Sequence, residues 1–115
     1  MEKLKGLFIS RGTIKGVARI VQGAERVETI EPNTILVMSV LDRELLINLD
    51  KNVVGVIAEH GNIGSHGAGI LRQLHIPCII RIHNVTALIK DGDNIIMDDK
   101  ESCILIEKFS EKSIA

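Results

Sequence analysis

Ser65, His66 and Arg72 are the residues of this 115-residue chain whose types and spacing could do chemistry. They stand in a stretch that begins Glu59-His60-Gly61-Asn62-Ile63-Gly64 and continues past His66 as Gly67-Ala68-Gly69, so that four glycines fall within residues 61–69. A buried strand reads into this stretch and a helix reads out of it, which puts His66 at the mouth of the helix. The unpaired first-turn N–H groups and the helix dipole favour an anion there by about 0.3–2 kcal/mol. Glycine lets a bulky anion or a partner's backbone come close. Ser65 can cap the helix and also offers a hydroxyl hydrogen bond. Imidazole is largely neutral and nucleophilic near pH 7 and can take up a covalent group. Arg72, six residues on, carries a guanidinium that could pair bidentately with a phosphoryl group. Read from the residues, the stretch is a phosphoryl-accepting histidine at a helix N-terminus. Plainer readings stand beside this one: a capping role for His66, a solvated helix-face cation at Arg72, a cap alone at Ser65, and backbone geometry for the glycines. Strand-loop-helix junctions of this kind also bind nucleotides without covalent chemistry, but the loop is neither a Walker A nor a G-x-G-x-x-G.

The elements that must position these groups follow from periodicity. Residues 7–10 form a short apolar run closed by Arg11-Gly12, and the β-branched stretch 16–21 follows, so the two read as a hairpin or as adjacent strands. A polar stretch to residue 33 ends in the turn signal Pro32-Asn33. Thr34–Val40 is nearly continuous apolar and reads as a buried strand. Asp42 is a preferred N-cap for a helix running to about Leu49, with Leu45, Leu46 and Leu49 on its apolar face. Residues 53–58 read as a second buried strand, residues 66–75 as the helix stopped by Pro77, and residues 78–82 as a further strand. Residues 84–89 suggest a short helical turn, Asp91-Gly92-Asp93 a turn, and Asn94–Asp98 with Cys103–Glu107 a closing hairpin. The tail, residues 108–115, is polar apart from Phe109 and Ile114 and is expected to fray. The sum is a mixed α/β fold in a single domain, residues 1–115, with its core at about 7–107.

Composition narrows the function classes. A hydrophobic fraction of 45% with 25% charged residues fits a soluble globular domain. A formal net charge of -1 argues against a surface built to neutralise nucleic-acid phosphates, and 2% aromatics leave few stacking platforms for single strands. No apolar run approaches the roughly 20 residues needed to cross a bilayer, and no leader-type apolar region follows the charged N-terminus. Neither a nucleic-acid nor a membrane partner is therefore expected. Cys78 and Cys103 form no C-x-x-C, which fits a reducing cytoplasm. The spacings of His60, His75 and His83 fit no compact ligand motif, so no metal site is expected.

Gly61 to Arg81 reads G-N-I-G-S-H-G-A-G-I-L-R-Q-L-H-I-P-C-I-I-R. This resembles the active-histidine region, G-G-x-T-S-H-x-A through A-R-E-L to G-I-P-A-V-V-G, of the swivelling phosphohistidine (mobile) domain of the phosphoenolpyruvate-utilising enzymes. That group includes pyruvate phosphate dikinase, phosphoenolpyruvate synthase and enzyme I of the sugar phosphotransferase system. The likeness holds at Gly61, Ser65, His66, Ala68, Arg72, Leu74, Ile76 and Pro77. It extends to Ser10-Arg11-Gly12 with Gly16, and to Asn84, Thr86, Asp91-Gly92-Asp93 and Asp98. Asn62 stands where the pattern has its second glycine, Gly64 where it has threonine, Gly69 where it has a larger aliphatic residue, and His75 and Arg81 where it has glycines.

The resemblance implies a three-layer β/β/α fold and a histidine that takes a phosphoryl group at one site and delivers it at another. On that reading the chain is a stand-alone phosphohistidine carrier, a phosphotransferase component that needs partner subunits. His66 is the acceptor, and Gly64, Ser65, Gly67, Ala68 and Arg72 hold the phosphoryl oxygens. The domain would bind no cofactor of its own. Phosphoenolpyruvate, ATP and magnesium would belong to a separate nucleotide-binding or phosphoenolpyruvate/pyruvate-binding protein. The alternative is a regulatory or structural interaction module that keeps the fold and has lost transfer. A phosphate-ester hydrolase acting alone is disfavoured, because no second acid/base or metal constellation accompanies His66.

Overall fold

Residues 34–38 are buried without a break, so their strand must lie between two layers. The computed structural model describes residues 1–22 and 29–108, and within these it places that strand at the centre of one sheet. The strands are β1 (Glu2–Lys5), β2 (Leu7–Ser10), β3 (Ile14–Ile20), β4 (Thr34–Val40), β5 (Val53–His60), β6 (Cys78–Ile80), β7 (Asn94–Asp98) and β8 (Cys103–Glu107). Helices α1 (Arg43–Ile47), α2 (His66–Gln73) and α3 (Val85–Leu88) follow β4, β5 and β6 in turn. The order across the sheet is β1-β8-β7-β3-β4-β5-β6-β2. Strands β3 to β6 run parallel, and antiparallel pairs flank them on both sides.

Alternation along each strand sorts the core into two clusters. Leu36, Met38, Val56, Ala58 and Ile80 face one way and pack with Leu46 of α1 and with Ala68 and Leu71 of α2. Ile35, Val37, Ile57 and Ile79 face the other way and pack with Ile95, Met97, Ile104 and Ile106 of β7 and β8 and with Val85 of α3. A Cβ on Gly55 of β5 would lie 2.6 Å from the Met97 sulfur of β7, although β3 and β4 separate those strands in the sheet. The antiparallel half therefore folds back over the parallel half. The result is an α/β fold with two β layers and a helical layer.

Several sequence expectations hold and others are corrected. Asp42 caps α1 by accepting from the N–H groups of Glu44 and Leu45, but the helix ends at Ile47, two residues short of Leu49. The turn at residues 84–89 is α3, and β7 and β8 form the closing hairpin. Strands β2 and β3 are neither a hairpin nor neighbours: β2 pairs with β6 at the far edge, and β3 lies between β7 and β4. A Cβ on Gly12 would lie 2.6 Å from Pro77 Cγ, so the β2–β3 connection passes close against the residue that precedes β6. Strand β1 was not expected, because Glu-Lys-Leu-Lys carries little apolar signal and takes its form from pairing with β8. Strand β6 stops at Ile80 because Arg81 turns to φ 65. The expectations for residues 23–28 and for the tail from 109 lie outside the described residues.

The end of α2 carries local strain. Ile76 N–H donates to Leu71 C=O at 3.0 Å and His75 N–H to Arg72 C=O at 3.2 Å, the two bonds of a Schellman cap. The cap needs a left-handed residue at position 75, where the chain has histidine at φ 58 instead of glycine. A side chain in that conformation costs about 1 kcal/mol. His75→Gly is predicted to raise the urea midpoint by the equivalent of about 0.5–1 kcal/mol with the denaturant slope unchanged; a midpoint that stays or falls contradicts this account of the cap.

Candidate functional site

The parallel strands β4, β5 and β6 all end at one edge of the sheet, where α1 and α2 begin. Openings of this kind, outside the carboxyl ends of parallel strands, are where open α/β sheets place ligands. Residues 61–65 carry the chain from β5 into α2 along this edge. Ser65 caps the helix, with φ -68 and ψ 155 and its Oγ accepting from Ala68 N–H at 3.1 Å. Its own N–H donates to Asn62 C=O at 3.1 Å, which closes the loop on itself. His66 is the first helical residue and is exposed.

Close packing explains the glycine after it. A Cβ on Gly67 would come within 2.9 Å of Leu46 Cδ1 and 3.3 Å of Leu41 Cβ, so the first turn of α2 presses on the chain at α1. The buried face of α2 is Gly67, Ala68 and Leu71, and that face fixes His66 toward solvent. Gly64 is exposed at the loop, with open space around it apart from Asn62. The structure thus gathers Gly64, Ser65, His66, Gly67 and Ala68 at the helix mouth. The N–H of Ala68 is already donated to Ser65 Oγ. The donors left to an incoming group are those of His66 and Gly67, which have no acceptor inside the helix.

Arg72 is placed differently. It lies in the last turn of α2, about 9 Å along the axis from His66 at the usual rise per residue. Its Nη1 donates to the Ile9 carbonyl of β2 at 3.0 Å. The guanidinium therefore ties the helix to the edge strand, and four of its five donors remain for other groups.

Glu59 is a residue whose role the sequence did not disclose. It lies at the end of β5, seven residues before His66, and its Oε2 accepts from Thr86 N–H at 3.2 Å and from Thr86 Oγ1 at 3.0 Å. Burial pushes the Glu59 carboxyl up, but the two Thr86 bonds, the Ser39 hydroxyl and the charge of His60 outweigh it and hold the carboxyl below its ordinary value. The bond joins β5 to the start of α3 across 27 residues of chain, so no local pattern could reveal it. Cys78 is buried, and desolvation pushes its thiol up to about 12, which makes it a packing residue and not a nucleophile. Among the described residues no three His, Cys, Asp or Glu side chains converge on a metal position. No helix among them is long and apolar enough to cross a membrane. A groove of about 390 Å³ lined by Lys15, Val17, Ile96 and Leu105 lies on the outer face of the antiparallel half, away from His66.

Residues 30–101 match the family described as PEP-utilising enzyme, mobile domain. Rifampicin phosphotransferase of Bacillus subtilis is 35% identical over 101 residues, covering 88% of this chain and 11% of that protein. The chain thus spans about a ninth of that relative. The N-terminal domain of Enzyme 1-Nitrogen superposes with a TM-score of 0.62 at 22% identity, covering 76% of this chain and 37% of that one. Aconitase X of Thermococcus kodakaraensis shares the fold at a TM-score of 0.73 and 18% identity, over 94% of this chain and all of that one.

The Glu59 bond sets a pH dependence. A carboxyl held below its ordinary value of 4.5 contributes stability that is present above that value and is lost as pH falls through the lower, folded-state value. Glu59→Gln is predicted to be about 1 kcal/mol less stable than the parent at pH 7, the partial exposure of the pair keeping the figure small. The gap should close as pH drops below 4.5 in urea melts; a gap that is constant from pH 7 to pH 3 would show that the charge has no part in it.

Proposed function

The chain belongs to the mobile-domain family of the PEP-utilising enzymes, and from that membership we propose that it is a phosphoryl carrier whose acceptor is His66. The observation that carries the reading is the exposed histidine at the first position of α2, within the residues matched to the family. The fold alone would leave the chemistry open, since aconitase X shares it.

In the proposed step an imidazole nitrogen of His66 attacks the phosphorus of a donor held by another protein or domain. A P–N bond forms, and the donor's P–O bond breaks with its electron pair passing to the leaving oxygen. The resemblance favours Nε2 as the attacking atom. The N–H groups of His66 and Gly67 meet the phosphoryl oxygens, Ser65 supplies its hydroxyl while holding the cap, and the gap at Gly64 admits the group. Ala68 N–H joins them only if the Ser65 cap opens, and Arg72 only with donors that Ile9 leaves free. The reverse attack by an acceptor returns the histidine to its starting state. The donor is phosphoenolpyruvate or magnesium-bound ATP, each bound outside this domain, which holds no cofactor in this reading. Delivery between donor and acceptor is a movement of the domain, so transfer is limited by docking and release as much as by chemistry.

A second reading is a regulatory or structural module that keeps the fold without transfer. Gly64 favours it, because the family's threonine hydroxyl is missing beside His66. The two readings separate in one experiment. The protein and its His66→Ala variant are incubated in extract of the cells that make it, with phosphorus-labelled ATP or phosphoenolpyruvate. The carrier reading predicts an acid-labile, alkali-stable label on the parent and none on the variant. An unlabelled parent, or equal labelling of both, would favour the module.

A further inference from the structure

Five non-glycine residues take positive φ among the described residues: Asn33, His75, Arg81, Asn84 and Ser102. Asparagine enters this region readily, and Ser102 sits in the turn of the β7–β8 hairpin. His75 ends α2 at the opposite edge from His66. Arg81 is the one long charged side chain in the group, and it lies at the edge where His66 lies. It directly follows β6, which runs parallel to β5, so it leaves the sheet at the carboxyl edge from which residues 61–65 carry β5 into α2. The glycine loop rests on the same spot: a Cβ on Gly61 would touch Ile80 at 3.4 Å.

The charge of Arg81 is uncommitted. The residue is exposed, and among the described residues no ion pair or hydrogen bond engages its guanidinium. The Glu59 carboxylate at the end of β5 is occupied with Thr86. The cation of the motif, Arg72, has one donor spent on Ile9 in the last turn of α2. The edge where α2 begins therefore has, among the described residues, a wholly unpaired guanidinium in a backbone conformation that glycine would adopt without strain. A long charged side chain at such a strained position points to use of that side chain.

We propose that Arg81 is a specificity-determining residue of the His66 site, presenting its guanidinium to the tetrahedral phosphoryl anion that His66 receives. This rests on the carrier reading and adds a contact that the family pattern, with glycine at this position, does not supply. The fork of N–H donors suits a phosphoryl group, and the exposed setting makes the attraction sensitive to salt. The anion has two sources: the donor's phosphate as it arrives, or the phosphoryl group once carried on His66.

Phosphoramidate, a small P–N donor, tests this without a partner protein. The imidazole nitrogen forms its P–N bond as the donor's P–N bond breaks, and the amine of the zwitterionic donor leaves as ammonia. Parent, Arg81→Gly and Arg81→Lys are compared for urea midpoint, rate of His66 phosphorylation and lifetime of the adduct after donor removal. Arg81→Gly should fold more stably than the parent yet react about five- to tenfold more slowly, the loss of an exposed charged hydrogen-bond pair. The defect should shrink as salt is raised, and Arg81→Lys should recover part of the rate. A slower reaction with an unchanged lifetime assigns the contact to the incoming donor; a shortened lifetime with an unchanged rate assigns it to the phosphoryl group on His66. Unchanged rate and lifetime overturn the proposal. If the parent forms no adduct at all, the carrier reading fails separately. Arg81 is then judged by titrating inorganic phosphate into the parent and His66→Ala and following the Arg81 Nε–H resonance, and a resonance that does not move overturns the contact.

Discussion

Strands β4, β5 and β6 carry aliphatic side chains on both faces, and neither face can be left in water. Ile35, Val37, Ile57 and Ile79 need one cover; Leu36, Met38, Val56, Ala58 and Ile80 need another. Burying one such side chain is worth about 1.5–3 kcal/mol, so two open faces would unfold a chain of this size. The covers are the folded-over antiparallel half and the pair α1 and α2. Because the strands are parallel, their crossover helices all start from the same edge. The exposed first residue of α2 then follows from topology: the helix must bury Ala68 and Leu71, and the residue at its mouth is left facing out.

The two edges joined by α2 hold two kinds of local cost. Gly67 is needed because α1 leaves no room for a side chain at the start of α2. His75 and Arg81 stand where glycine would be easier, at φ values of 58 and 65. At the far end of α2 the strain at His75 bears on stability through the helix cap. At the edge where α2 begins, Arg81 is exposed with its guanidinium unpaired among the described residues, while Glu59 and Ser65 spend their polar atoms holding α3 and α2 in place.

Much of this was legible in residue order. The unbroken apolar run at Thr34–Val40, the Asp42 and Ser65 caps and the β7–β8 hairpin are local signals, each written within a few neighbouring residues. What was not legible is long-range. Strand β1 is charged and becomes a strand only against β8, and β2 is drawn to β6 rather than to its sequence neighbour. The early end of β6 depends on a backbone turn at Arg81 that its side chain does not announce. The Arg72 bond to Ile9 spans 63 residues, so a motif that set Arg72 beside His66 could show its spacing but not its partner.

The account turns on whether His66 carries a phosphoryl group in the cell. Protein isolated under alkaline conditions, digested and sequenced by fragmentation mass spectrometry locates the group to a residue. The account predicts a phosphorylated peptide with the modification on His66, lost after brief acid treatment. An acid-stable phosphate on Ser65, or a peptide covering residues 61–72 that is never modified while the protein is active in its cell, would contradict it.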